Sequence, residues 1–147
     1  MKRLSQLSLL AIIVWMSAGC STPNSVSPKS VVTDPNGNFH LYVSNQSFAI
    51  SPVDIEVFID GEQIVNESFD VGSQDSFKTF VLRLSPGRHK IVAESSEGHA
   101  KLEQTIEVDN KLWAALAYWS SPKSKGDVES YLGHFSVDVK KVPIYFL

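Results

Sequence analysis

The sequence predicts an all-β domain, an antiparallel sandwich of short strands, on three observations. Hydrophobic residues recur at every second position in several segments after Phe39, and turn-forming pairs punctuate those segments at short intervals. The hydrophobic and charged contents, 43% and 20%, are those of an ordinary folded domain. A chain of 147 residues holds one core, and is too short for two once a leader and a linker are set aside.

The strongest strand is 53–59, where Val53, Ile55, Val57 and Ile59 alternate with Asp54, Glu56 and Phe58. This is the two-residue period of a half-buried strand. Asp60-Gly61 supplies the positive φ angles of a tight hairpin, and Gln63 to Phe69 returns beside it. Phe80, Leu82 and Leu84 form the next inward row, Ser85-Pro86-Gly87 turns the chain, and His89, Ile91 and Ala93 line the return strand. After Glu97-Gly98, an inward row of Leu102, Gln104, Ile106 and Val108 alternates with a wet row of Lys101, Glu103, Thr105 and Glu107, before Asp109-Asn110 turns the chain again.

Residues 111–119 are ambiguous, because alanine and leucine favour helix while the hairpin rhythm around them favours strand; the reading adopted is a strand. Residues 120–130 read as a polar loop. Tyr131, Gly133, Phe135, Val137 and Val139 restore the alternation, and Pro143 before Ile144 to Leu147 suggests a short closing edge strand. Seven to nine short strands in about 110 residues fit an antiparallel β-sandwich of immunoglobulin-like type.

The first twenty residues follow a different grammar. Lys2 and Arg3 precede an apolar run from about Leu7 to Met16, which small residues follow. That order is the three-part plan of an export signal, and the run is shorter than the ~20 apolar residues a membrane span requires. The chain contains a single cysteine, Cys20, so an intramolecular disulfide and a thiolate metal cluster are both excluded. The tetrapeptide Ser17-Ala18-Gly19-Cys20 resembles the lipobox of bacterial lipoproteins, with Ser17 standing where leucine is usual. The resemblance implies a signal peptide over 1–19, cleavage before Cys20, lipid on its thiol, and a membrane partner reached through that anchor. Ser21 is not the Asp that retains such proteins in the inner membrane, which favours the outer membrane in a cell with two. Residues 20–38 are then the lipidated N-terminus and a Ser-, Pro- and Asn-rich flexible linker, and 39–147 the sandwich.

A second resemblance supports the fold class alone. Val57-Phe58-Ile59-Asp60-Gly61 followed by Leu84-Ser85-Pro86-Gly87-Arg88-His89-Lys90-Ile91 resembles the small envelope β-modules of the PEGA type, without the tetrapeptide that names them. It covers about a quarter of the chain and brings no catalytic residues.

The function classes narrow by charge and spacing. The formal charge is −3, and losing Lys2 and Arg3 with the leader makes the mature chain more acidic still, which argues against a nucleic-acid partner. His40, His89, His99 and His134 are scattered, with no metal-ligand spacing, and His89 reads as a hydrogen-bonded structural residue. No Gly-x-Ser-x-Gly elbow or phosphate-binding glycine loop occurs. Glu103 and Glu107 read as solvated carboxylates, and Asp127 and Glu129 as part of a solvated loop rather than a calcium site. No cofactor is called for, and the chain is not expected to be an enzyme. Trp113 and Trp119 share a parity with Ala115 and Ala117, opposite Leu112, Ala114, Leu116 and Tyr118, so a strand here has two apolar faces. One account buries both faces, under residues 120–130 or the other sheet. The other makes Trp113, Trp119 and Tyr131 a binding surface for an envelope protein or for a glycan ring. Three functions follow, in descending order: an envelope lipoprotein that binds a protein partner, a carbohydrate-binding module, and a hydrolase whose residues meet only in the tertiary structure.

Overall fold

The computed structural model describes residues 31–48, 50–71, 76–122 and 131–146, with the backbone alone for Val31, Val32, Pro122, Tyr131 and Leu132. Regular structure among these residues is all strand, arranged as two sheets in a β-sandwich. Nine strands are described: β1 (Val31–Thr33), β2 (Phe39–Asn45), β3 (Val53–Ile59), β4 (Glu62–Phe69), β5 (Lys78–Leu84), β6 (Gly87–Ser95), β7 (Ala100–Val108), β8 (Leu112–Pro122) and β9 (Tyr131–Lys140). One sheet has the order β1-β5-β2-β8-β9 and the other β4-β3-β6-β7. Every pairing is antiparallel except that of β2 with β8, in which Phe39 lies beside Leu112 and Asn45 beside Tyr118.

The inward rows follow from the two-residue period. Val53, Ile55, Val57 and Ile59 of β3 are fully buried, and they share one core with Phe39, Leu41 and Val43 of β2, Leu112, Ala114, Leu116 and Tyr118 of β8, and Ile91 and Ala93 of β6. The β3–β4 hairpin turns at Asp60 and Gly61, whose φ angles of 53° and 83° are both positive, as the sequence demands of such a turn. Asp60 Oδ2 lies 2.6 Å from Nδ1 of the buried His89, while Nε2 of the same ring lies 2.7 Å from the Ser85 carbonyl oxygen. One histidine therefore ties the β3–β4 turn to the β5–β6 turn.

Besides the parallel pairing of β2 with β8 and the run of β8 through Ser120 to Pro122, where a loop is expected, two parts differ from the sequence reading. The sheet begins before Phe39: β1 falls inside the stretch assigned to the linker, with Val31 opposite Leu84 and Thr33 opposite Leu82. Asp34 holds the chain after β1, accepting from Asn36 N at 2.8 Å and from Arg83 Nε at 2.7 Å. A three-residue strand that pairs through its backbone leaves little trace in a composition of Ser, Pro and Asn. The closing edge strand expected at Ile144 to Leu147 is not one: residues 143–146 are irregular, with Leu147 outside the described residues. Pro143 has no N–H for a ladder. Phe146 instead packs on Tyr42, edge-on at 5.1 Å, and stacks on Phe77 at 3.9 Å between ring centroids. Because β8 separates β9 from β2 in the sheet, this segment crosses β8 on the outer face to reach Tyr42.

A corner joins the two sheets. The buried Tyr118 hydroxyl donates to the Gly98 carbonyl in the β6–β7 turn at 3.1 Å. Burial pushes its phenol above the ordinary value, which keeps the hydroxyl a donor. A Cβ on Gly133 would lie 2.0 Å from the Gly98 oxygen, and one on Gly98 would lie 2.6 Å from the Tyr118 ring, so both positions require glycine. Asp54 of β3 holds the same turn by accepting from Ser95 Oγ at 2.7 Å, Ser96 N at 2.8 Å and Glu97 N at 2.9 Å.

Burial raises the Asp54 carboxyl, and these three accepted bonds outweigh it, leaving the group below its ordinary value of 3.8. A carboxylate whose folded pKa is depressed adds stability above its unfolded pKa and loses it as pH falls through the folded one. We expect Asp54→Ala to lower unfolding free energy by about 2 kcal/mol at neutral pH, and the gap to the native chain to close as pH drops below 3.8, in urea titrations at several pH values. Gly133→Ala should cost about 3 kcal/mol or more by the same assay, since backbone rather than a flexible side chain meets the added methyl.

Candidate functional site on the outer face

Strand direction divides the molecule into two ends. The final residues of β2, β4, β6 and β8 gather at one of them, where Asn45 Nδ2 donates to Phe69 O at 2.9 Å and Tyr118 meets Gly98. The first residue of β1 and the last residues of β3, β5, β7 and β9 gather at the other, where Leu84 lies beside Val31 and Lys140 beside Trp113. The first is the Phe48 end and the second the Val31 end.

The surface predicted from Trp113, Trp119 and Tyr131 does not form one platform. Trp113 and Trp119 both face outward on β8 and are half-buried, but they stand six residue spacings apart along the strand, ~20 Å. Trp113 sits at the Val31 end, stacked on His40 of β2 with ring centroids 5.4 Å apart and planes 14° from parallel. Trp119 sits at the Phe48 end and donates from Nε1 to Ser136 Oγ of β9 at 2.9 Å. Between them on the same face stand Ala115, half-buried and opposite Tyr42, and the buried Ala117. Tyr131 opens β9 opposite Pro122, and its side chain lies outside the described residues. Cys20, Asp127 and Glu129 also lie outside them.

The histidines stay apart. Burial, then the nearby Lys111 ammonium, hold the His40 ring below its ordinary value. His134 is exposed beside Trp119, and His99 is exposed in the β6–β7 turn with a φ of 48°. Among the described residues no three His, Cys, Asp or Glu side chains group to hold a metal ion. Glu103 and Glu107 point to solvent, and Glu103 pairs with Lys90 at 2.6 Å.

Sequence reasoning missed Phe48. It is 77% exposed in the β2–β3 connection, where Asn45 Oδ1 accepts from Ser47 N at 3.0 Å and Phe48 N donates to Ser120 O at 3.2 Å. Its backbone is thus held beside the end of β8 while the ring stands in water. Val71, 42% exposed, is bridged to Asn45 at the same end. Next to it a shallow groove of about 520 Å³ runs between β4 and β5, past Phe69, Asp70, Phe77 and Lys78. The available signal was a lone aromatic inside an Asn- and Ser-rich turn, where no core position calls for one.

At the Val31 end a second groove of about 380 Å³ is lined by Asp109, Asn110, Lys111 and Lys141. No protein-family model, curated protein or solved structure matches the chain.

The aromatic contacts on the outer face give a test of their own. Phe146→Ala removes the ring shared by Tyr42 and Phe77, and it should destabilise the domain by about 1–2 kcal/mol in chemical denaturation.

Proposed function

We propose that the chain is a non-catalytic lipoprotein of the bacterial envelope, moored through Cys20, whose sandwich docks another envelope protein at its Phe48 end. The observation that carries the reading is the exposure of Phe48 at the end opposite Val31, from which the chain leads back toward Cys20. A tether at one end leaves the other facing away from the bilayer. An exposed aromatic on a held backbone, beside Val71 and a groove, suits recognition of an apolar side chain on a partner. The export grammar of residues 1–20 supports the anchor and the envelope location, the outer membrane where there are two.

We read the sandwich as immunoglobulin-like. In its support, β2 to β7 follow the sheet assignment and order of immunoglobulin strands B, C, C′, E, F and G, with β4-β3-β6-β7 as C′-C-F-G and β5-β2 as E-B. The β8–β9 hairpin stands where strand A would pair with B, and its first strand runs parallel to β2.

The glycan alternative draws less support, because Trp113 and Trp119 lie at opposite ends of one face and the Trp119 indole N–H is already engaged. A hydrolase draws least, with the histidines separated as described.

Two measurements test the proposal. Intact mass of the protein from its native host should show acyl chains on a polypeptide that begins at Cys20; an unmodified chain that keeps residues 1–19 refutes the anchor. In-cell crosslinking should capture an envelope protein that Phe48→Asp no longer captures, while stability changes by no more than about 0.5 kcal/mol. Capture untouched by Phe48→Asp and abolished by Trp119→Ala would move the contact to the outer face, and glycan binding abolished by Trp119→Ala would favour the carbohydrate reading.

A further inference from the structure

The strand order puts a crossing between β1 and β2. These strands flank β5 on opposite sides, and Thr33 and Phe39 both lie opposite Leu82. Residues 34–38 therefore pass over the β5 backbone. Gly37 makes the closest approach: it is buried, and a Cβ there would stand 2.1 Å from the Leu82 oxygen. The chain beyond it is fixed as well. The Asn38 side chain accepts from Leu84 N at 2.9 Å and donates to Leu84 O at 3.1 Å, and the Asn38 backbone carbonyl accepts from Leu112 N at 2.8 Å.

Before this glycine stands the exposed Asn36, and Asn36-Gly37 is the one Asn-Gly pair in the chain. An asparagine followed by glycine is the sequence most given to ring closure, because glycine has no side chain to obstruct the approach of its own nitrogen. The attack requires that nitrogen to shed its proton and reach Asn36 Cγ. In the closed crossing the proton is held, since Gly37 N donates to the Asp34 carbonyl at 2.8 Å and closes a turn around Pro35 and Asn36. Asp34 Oδ1 accepts from Asn36 N at 2.8 Å, and Arg83 donates from Nε to Asp34 Oδ2 at 2.7 Å and from Nη2 to Asn36 O at 3.1 Å. The bond from Asn36 N, then that from Arg83, hold the Asp34 carboxyl below its ordinary value, so the turn is built on a carboxylate at neutral pH.

We propose that Asn36 is a site of spontaneous deamidation, silent while β1 is paired and reactive once it lifts, so that lifting becomes irreversible. The opening is local. Thr33, Pro35 and Asn36 are exposed and the Asp34–Arg83 ion pair lies at the surface, so few buried contacts oppose it. With the turn open, the Gly37 nitrogen bonds to Asn36 Cγ, the Cγ–Nδ2 bond breaks, and ammonia leaves with the proton that the nitrogen gave up. Water then opens the succinimide at either carbonyl, which yields aspartate or, with the backbone rerouted through the side chain, isoaspartate. The rerouted chain carries an extra methylene ahead of Gly37, where the contact with the Leu82 oxygen leaves no room to absorb it. The new carboxylate also repels Asp34 and competes for Arg83. β1 then stays off β5. Under the anchored reading residues 31–38 thereby join the tether, although the modification itself does not depend on the anchor.

The test incubates the full chain in warm neutral buffer and follows the Asn36 peptide by mass spectrometry, with electron-transfer fragmentation to distinguish isoaspartate from aspartate. The native chain should convert slowly, Arg83→Ala about fivefold faster through loss of both guanidinium bonds, and the native chain held in urea fastest of the three. In the isolated isoaspartate form the Asp34 amide, bonded to Val81 O at 3.1 Å in the native fold, should lose its protection from hydrogen exchange, while the amides of β3 keep theirs. Asn36→Gln, whose longer side chain closes the ring far less readily, should keep Asp34 protected through the same incubation. Folded native chain that converts as fast as chain in urea would overturn the proposal, as would an isoaspartate form in which Asp34 stays protected. Loss of Asp34 protection in Asn36→Gln at the native pace would overturn it too, by showing that β1 leaves for another reason.

Discussion

The architecture depends on one close approach, the meeting of the Tyr118 hydroxyl, the Gly98 carbonyl and the Gly133 backbone at the corner where the two sheets converge. A β-sandwich needs its sheets registered end to end as well as face to face. Hydrophobic burial sets only the second of these, because it has no direction along the strand. Here a buried phenol supplies the direction. It fixes the end of β8 against the β6–β7 turn, Asp54 fixes that turn against β3, and the missing side chain at 133 lets β9 lie beside both. At the same end Asn45 completes the arrangement, donating to Ile50 O at 3.0 Å and to Phe69 O at 2.9 Å. All of these groups are buried or held by several bonds, and such networks are costly to satisfy only in part.

The same corner explains how β8 tolerates apolar residues on both faces. Its inward row fills the core, with Tyr118 anchoring one end. The outward row is covered piecemeal, Trp113 by His40 and Trp119 by its bond to Ser136, while Phe146 covers Tyr42, the neighbour of Ala115 on β2. Neither of the two sequence-level accounts of that face is the whole of it. The cover comes from the chain beyond β9 and from neighbouring side chains, and both tryptophans stay half-buried.

Most of the strands were legible because a two-residue period is a local property. Val53 to Ile59, the Asp60-Gly61 turn and the inward row of β7 all lie in the structure where alternation and turn chemistry put them. What could not be read was whatever depends on a distant partner. β1 exists because β5 offers an edge, Phe146 leaves the expected strand because Tyr42 and Phe77 form a socket, and the parallel pairing of β2 with β8 joins segments that hairpin logic never brings together. The candidate site was harder still. Trp113 and Trp119 drew notice as a pair because they are near in sequence, yet a strand carries its residues apart at about 3.3 Å each. Phe48 carries no periodic signal at all, and its exposure follows from the Asn45 and Ser120 bonds that hold its backbone at the end of the sheet.

That separation gives the molecule its polarity. A single face with two tryptophans would have suggested one extended contact, whereas two ends with different chemistry suit two different neighbours. The Val31 end carries Lys111, Lys140 and Lys141 with Asp109 and Asp138, and the Phe48 end carries Phe48 and Val71 among acids that outnumber Lys78 and Lys101. A chain tethered at one point is free to tumble about that point, and a tumbling domain presents any given surface for only part of the time. Orienting it removes that loss before any partner arrives, in the same way that pre-organisation lowers the cost of association. Under the anchored reading, the placement of Phe48 at the end opposite Val31 works in that direction, without adding a single contact to the captured protein.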